Sequence, residues 1–235
     1  MSETSCKINA VLIQILLSVL FSSNIQADKF SCITNDVDQF IEAKKINFVE
    51  ISTLKSKKWS KNYFRAITDY KNDDISEKYK KKFSANIKVR FDNELECTFP
   101  SKIRISGDRI DHLGWGGKDN PNTTPPITSL DVKLLAGNIN SVVKFKLFIP
   151  HTKKGNNEVF STALLAELGF LAPKTYHVPA VFNGQETTFL FQEKITKEFI
   201  ESNDLREAPI LEGDERFLFL NDLVYFDRFG LARVL

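Results

Sequence analysis

The chain has 235 residues, is 42% hydrophobic and 26% charged, and carries a formal net charge of +2. That is ordinary globular composition, and it excludes a wholly disordered chain, a collagen and a coiled coil. The near balance of charge also gives no whole-molecule footprint of nucleic-acid binding.

Lys7 precedes an apolar run from Ala10 to Phe21. The run is shorter than the ~20 residues a helix needs to span a bilayer, and it fits the apolar region of a signal peptide. Ser22 to Ala27 is mostly polar, and Ala27 suits cleavage. Residues 1–27 are therefore expected to be an export signal, with the mature chain starting at Asp28; a buried N-terminal helix or an uncleaved anchor are the other readings. No other stretch is apolar enough to span a bilayer. The mature chain is expected outside the cytoplasm: periplasmic, secreted or at the cell surface. Of three cysteines it keeps Cys32 and Cys97. Export and an even count favour a disulfide between them, against two unrelated buried thiols. The absence of C-x-x-C argues against a thiol redox enzyme.

Residues 28–84 read as a basic helical extension. Thr34 or Asn35 can cap a helix through Lys45. A second helix is expected over Ser56–Ile67, with Trp59, Tyr63, Phe64 and Ile67 at helical spacing, and a third over Ile75–Phe83. From Lys44 to Arg90 there are 14 Lys and Arg against 5 Asp and Glu. This excess is either a set of solvated helix faces or a surface for an anionic partner such as a polysaccharide, a phospholipid or a phosphorylated ligand.

Residues 85–200 read as a β-rich domain. Ile87, Val89 and Phe91 alternate with Lys88 and Arg90, and Leu95–Phe99 returns after a turn at Asn93-Glu94. A short strand over Lys102–Ser106 leads into a loop, Gly107 to Thr128, rich in glycine and proline. Strands Ser129–Leu135 and Val142–Ile149 follow. Asn156 or Asn157 caps a helix through Leu168, ended by Gly169, with Phe160, Ala163, Leu164 and Leu168 as its expected buried stripe. Tyr176–Phe182 and Gln185–Glu193 flank Asn183-Gly184, a hairpin signal because both residues tolerate positive φ. Pro179 points to a sheet edge or to a strand whose N–H side is free.

Residues 201–235 are acidic, after a short helix over Thr196–Asn203. From Glu186 to Arg228 there are 11 Asp and Glu against 5 Lys and Arg. Asp214–Phe229 starts another apolar helical segment. The chain stops at Leu235 without a polar tail, the pattern expected of a fragment or of a domain missing its partner lobe.

Chemistry-bearing clusters are few. Asp108, Asp111 and His112 lie close in sequence, but their spacing matches no standard ligand set; the expectation is no metal, with the aspartates capping backbone amides. His151 and His177 are isolated. The turn Gly114-Trp115-Gly116-Gly117-Lys118 either presents amides and a cation to a phosphate or is a plain flexible loop. On strand 129–135, Leu130, Val132 and Leu134 share one face, and Asp131 and Lys133 the other. Glu158 opens the helix that follows. Lys133 and Glu158 are either a surface pair or the lysine–glutamate pair with which kinase-like folds hold nucleotide phosphates.

Four stretches between Ile103 and Glu193 carry a resemblance: I-R-I-S-G-D, S-L-D-V-K-L, N-E-V-F-S-T-A-L-L-A-E-L-G-F-L-A-P and V-F-N-G-Q-E-T-T-F-L-F-Q-E-K-I. Together they resemble the spore-coat-protein-H (CotH) kinase-like family of secreted or surface-associated atypical kinases. The resemblance implies ATP with magnesium or manganese as cofactor. It implies that Lys133 meets the phosphates, that Glu158 is its helix partner and that Glu193 closes the hairpin beside the nucleotide. Gly107-Asp108 stands where that family often has Gly-Asn. The lobe that would carry the catalytic aspartate has no counterpart around Asp222 or Asp227, so no catalytic residue is assigned.

The expected fold is α+β: a mainly antiparallel sheet with one packed helix and a helical N-terminal extension, like the N-terminal lobe of an atypical kinase. The expected function is an exported kinase-like nucleotide-binding lobe, catalytically incomplete, with a protein or glycan substrate at the cell surface. The alternative is a non-catalytic exported module that binds a glycan or cell-surface polymer through its basic helical region. Neither involves nucleic acid or a stable membrane span in the mature chain.

Overall fold

The computed structural model describes residues 30–33, 45–69, 74–114, 127–212 and 233–234. The expected export signal, the helix expected from Thr34 or Asn35 up to Lys45, the glycine turn after Gly114 and the apolar segment Asp214–Phe229 lie outside the described residues, apart from Lys45 itself.

Alternation of apolar and polar residues sets the architecture. Strands β1 (Ser31–Ile33), β2 (Ile46–Thr53), β3 (Phe83–Phe91), β4 (Glu96–Ile105), β5 (Leu130–Leu134), β6 (Lys144–Phe148), β7 (Thr175–Phe182) and β8 (Gln185–Glu193) form one sheet. Its order is β1-β4-β3-β2-β7-β8-β6-β5, and β5 pairs back onto β4. Seven strands thus close into a barrel, and β1 is an extra strand outside the ring. The ladders are antiparallel except β2 with β7, where Val49, Ile51 and their neighbours run parallel to Ala180–Phe182. Closure points one side chain in two inward, and Ile87, Val89, Phe99, Val132, Phe145, Val178 and Phe189 fill the interior. A barrel this size is filled by side chains, and the inward set mixes β-branched residues with phenylalanines.

The architecture corrects the α+β expectation. This is not a kinase-type lobe with a helix packed behind an open sheet; it is a closed barrel with three α-helices among the described residues. The segment read as a helical extension contributes β2, a barrel strand: its alternation Val49, Ile51, Thr53 is short, is broken from Ile46 by a register irregularity, and sits in a lysine-rich context. The helix expected over Ile75–Phe83 is a single 3-10 turn at Glu77–Tyr79 followed by β3.

Helix α1 (Ser56–Thr68) closes one end of the barrel, burying Trp59, Asn62, Tyr63, Ala66 and Ile67. The Trp59 ring stands edge-on to Phe83 and Phe182, the Tyr63 hydroxyl donates to the Leu113 carbonyl, and Asn62 Nδ2 donates to the Tyr79 carbonyl at 2.8 Å. Helix α2 (Asn157–Glu167) carries the chain from β6 to β7 over the outside of β8, and its expected buried stripe is not there. Among α2 residues only Thr162 is buried, and Phe160, Leu164 and Leu168 are exposed. Neither asparagine caps the helix through its side chain; Asn156 Oδ1 instead meets His177 Nε2 at 3.0 Å. Gly169 follows the helix at φ +81°, as a terminating glycine should. Helix α3 (Lys197–Glu201) follows β8.

Asn183 and Gly184 both have positive φ, as the hairpin signal requires. Pro179 lies just ahead of the residues of β7 that pair with β2, so its missing N–H interrupts no bond there. Cys32 and Cys97 sit directly opposite each other on β1 and β4 and form a disulfide. Among the described residues no helix is long and apolar enough to cross a membrane. A final pair, β9 (Leu211–Glu212) and β10 (Arg233–Val234), stands as a separate two-stranded sheet.

Candidate functional site

The three residues expected around a nucleotide occupy different places. Lys133 stands on the outer face of β5, exposed, directly opposite Lys102 of β4 and Lys144 of β6. Glu158, at the start of α2, accepts a 2.7 Å hydrogen bond from Gln192 Nε2. Gln192 belongs to β8, so β6 intervenes between the strand that carries Lys133 and the one that holds Glu158. Glu193 alternates to the inner face and is 5% exposed at the rim of the barrel. Its Oε2 receives the Lys174 N–H at 3.3 Å. Burial pushes its carboxyl above the usual carboxylate range, against the opposing effect of Lys174. The barrel wall thus separates Glu193 from Lys133 and Glu158.

The acidic turn expected to cap backbone does so in part. Asp111 Oδ1 accepts the His112 N–H at 3.0 Å, while Asp108 pairs with Lys80 at 2.6 Å. No group of three or more His, Cys, Asp or Glu side chains among the described residues is gathered for a metal ion.

The helix that closes the barrel presents a different kind of surface. Its buried residues fix its rotation, and the spacing of the remaining residues turns Lys57, Lys58, Lys61 and Arg65 to solvent, with Lys55 just ahead. Elsewhere in the same basic stretch cations are paired: Lys78 with Asp69, Lys80 with Glu77 and Asp108, and Lys88 and Arg90 with Glu96. The five cations on and beside α1 have no ion-pair partner among the described residues. Exposed Lys81 and Lys82, just ahead of β3, are likewise unpaired among them. The first turn of α1 holds no acidic residue. Positive charge there opposes the helix dipole, and like charges three and four residues apart repel. Leu54 and Phe64, 50% and 67% exposed, lie among these cations. The arrangement attracts and can retain a multiply charged anion with an apolar face.

The composition of residues 44–90 already pointed to this excess. The second concentration of cations, on the outer faces of β4, β5 and β6, escaped sequence reasoning. Alternation shows that Lys102, Lys133 and Lys144 face outward, but only strand register shows that they face one another. A scan of the chain against protein-family models finds no match, and a search of curated proteins finds none either.

Proposed function

We propose that this chain is an exported, non-catalytic module that binds an anionic glycan or cell-surface polymer through the basic face of α1. The observation that carries the reading is the set of unpaired cations on a helix whose orientation is fixed by a buried tryptophan and tyrosine. Paired surface lysines need no external explanation; an unpaired cluster at a helix start stores repulsion that an anion relieves. The disulfide is compatible with an oxidising compartment, and the apolar run Ala10–Phe21 agrees with export. The ATP reading asks Lys133, Glu158 and Glu193 to converge on one cleft, and nothing in their arrangement favours that over α1.

The test is retention of the full chain on an immobilised sulfated polysaccharide, eluted with salt. Exchanging Lys57, Lys58 and Lys61 together for glutamine should weaken binding roughly tenfold, on ~0.2–1 kcal/mol per exposed ion pair. All three side chains are exposed and their mutual repulsion is removed, so Tm should hold or rise. Unchanged elution salt would exclude α1 as the binding surface.

A further inference from the structure

The two concentrations of positive charge are connected. The Leu54 N–H, at the junction of β2 and α1, donates to the Ser84 carbonyl of β3 at 3.0 Å. Ser84 lies opposite Lys102, whose Nζ donates to Ser84 Oγ at 2.6 Å. Lys102 lies opposite Lys133, and Lys133 opposite Lys144. The Lys194 N–H bonds the Lys144 carbonyl, completing the row beyond β8. One line of hydrogen-bonded neighbours therefore runs across the strands from the start of α1 to Lys194.

Like charges directly opposite on adjacent strands destabilise a sheet, and here three lysines stand in consecutive register. The local carboxylates offset Lys144 and Lys194 and leave Lys102 and Lys133 without an ion pair among the described residues. Asp131 takes Arg104 at 2.8 Å and Lys194 at 3.5 Å, and Glu198 lies 3.7 Å from Lys144. Lys133 has no ion-pair partner among the described residues.

We propose that α1 and this lysine row form one continuous track for an extended, linear anionic polysaccharide lying across the strands. The proposal rests on the reading of α1 above and adds the shape of the ligand. Five strand steps of about 4.8 Å make the track about 24 Å long. A single phosphate or sulfate covers a fraction of that length, whereas a linear polymer with regularly spaced charges meets every cation in turn. The wall favours a sugar polymer over single-stranded nucleic acid. Bases need successive aromatic platforms; α1 exposes one, Phe64, and the outward side chains from Ser84 to Lys194 are serine and lysine, with no aromatic ring among them.

The experiment measures affinity of the full chain for a sulfated tetrasaccharide and a sulfated dodecasaccharide at one ionic strength. Three proteins are compared: the parent, Lys133→Glu, and the variant with Lys57, Lys58 and Lys61 changed to glutamine. The parent should prefer the longer ligand. Lys133→Glu places a carboxylate between Lys102 and Lys144, so Tm should hold or rise. Its dodecasaccharide affinity should fall about tenfold as one attraction becomes a repulsion, with little change for the tetrasaccharide on α1. The α1 variant should weaken both ligands. If Lys133→Glu leaves dodecasaccharide binding unchanged while the α1 variant weakens it, the track is overturned and the α1 reading survives. If only Lys133→Glu weakens binding, the α1 reading fails and the continuity with it. Tighter binding of single-stranded DNA of matching length would overturn the choice of a polysaccharide.

Discussion

At the scale of single residues, the fold controls the charge of His112. Its ring lies against Gly107, where an added Cβ would meet ring carbons at 2.1 Å, and Gly107 has φ +91°, a conformation glycine supplies at least cost. Nδ1 shares a 3.0 Å hydrogen bond with buried Ser129, and the ring lies 5.7 Å from that of Phe148. Burial holds the imidazole below its ordinary pKa. Lys153 and Lys146 lower it further, and Asp111 and Asp108 oppose them. The folded state therefore keeps His112 neutral where the unfolded chain takes up a proton. The resulting stability is fully present above the unfolded value of about 6.5 and is lost as pH falls below it. His112→Gln should flatten the fall in Tm between about pH 7 and pH 5 relative to the parent, as measured by thermal melts across that range; parallel melting profiles would assign the pH dependence to other groups.

At the scale of elements, β1 depends on its covalent link. It is three residues long, pairs among the described residues only with β4, and brings Cys32 opposite Cys97 at a sequence separation of 65. Closing a loop of that length stabilises the fold by about 4 kcal/mol on a chain-entropy estimate. Exchanging both cysteines for serine should lower Tm by several degrees and release residues 30–33 to rapid amide exchange, while β3 and β4 remain protected. The pairing was legible because the expected export signal takes in Cys6 and leaves Cys32 and Cys97 as an even pair. The hairpin was legible for a comparable reason, since Asn183-Gly184 carries its geometry locally. Strands β3, β5 and β6 also followed from alternation. Strand β2 was hidden because its polar positions belong to a lysine-rich stretch that composition labels as helix surface. Helix α2 was found at the right place but assigned a buried face, because Phe160, Leu164 and Leu168 have the spacing of one. Whether such a stripe is covered depends on what packs over it, and periodicity carries no information about that. The nucleotide constellation failed to assemble for a related reason: strand alternation puts Lys133 outside and Glu193 inside, and closure turns those two faces into opposite sides of a wall.

At the scale of the whole molecule, one pairing makes the barrel. Strands β2 to β6 are joined in ladders that need no other strand, β2 to β3, β3 to β4, β4 to β5 and β5 to β6. The β7–β8 hairpin then sets β7 beside β2 and β8 beside β6. Asn183 fastens the junction. Its Oδ1 accepts the Thr53 N–H at 2.9 Å and the Thr53 hydroxyl at 3.0 Å across 130 residues of chain, and its own N–H bonds the Ile51 carbonyl at 2.8 Å. From this closure we predict an order of assembly in which the hairpin docks last. Until the hairpin docks, the five-strand meander has open edges at β2 and β6, and the loop that must close to join them is long. Loop entropy is then spent before the contacts that offset it exist, and refolding belongs in the millisecond-to-second range of non-local β topologies. Asn183→Gly keeps the turn conformation and removes both side-chain bonds to Thr53, a loss of about 1–3 kcal/mol at ~0.5–1.5 kcal/mol per bond. Stopped-flow refolding should slow severalfold in this variant; an unchanged refolding rate with faster unfolding would put the clasp after the barrier. Before closure the exposed edges of β2 and β6 are free to pair with other chains, so yield on refolding should fall as protein concentration rises, and the hairpin that completes the ring also protects the chain from its own kind.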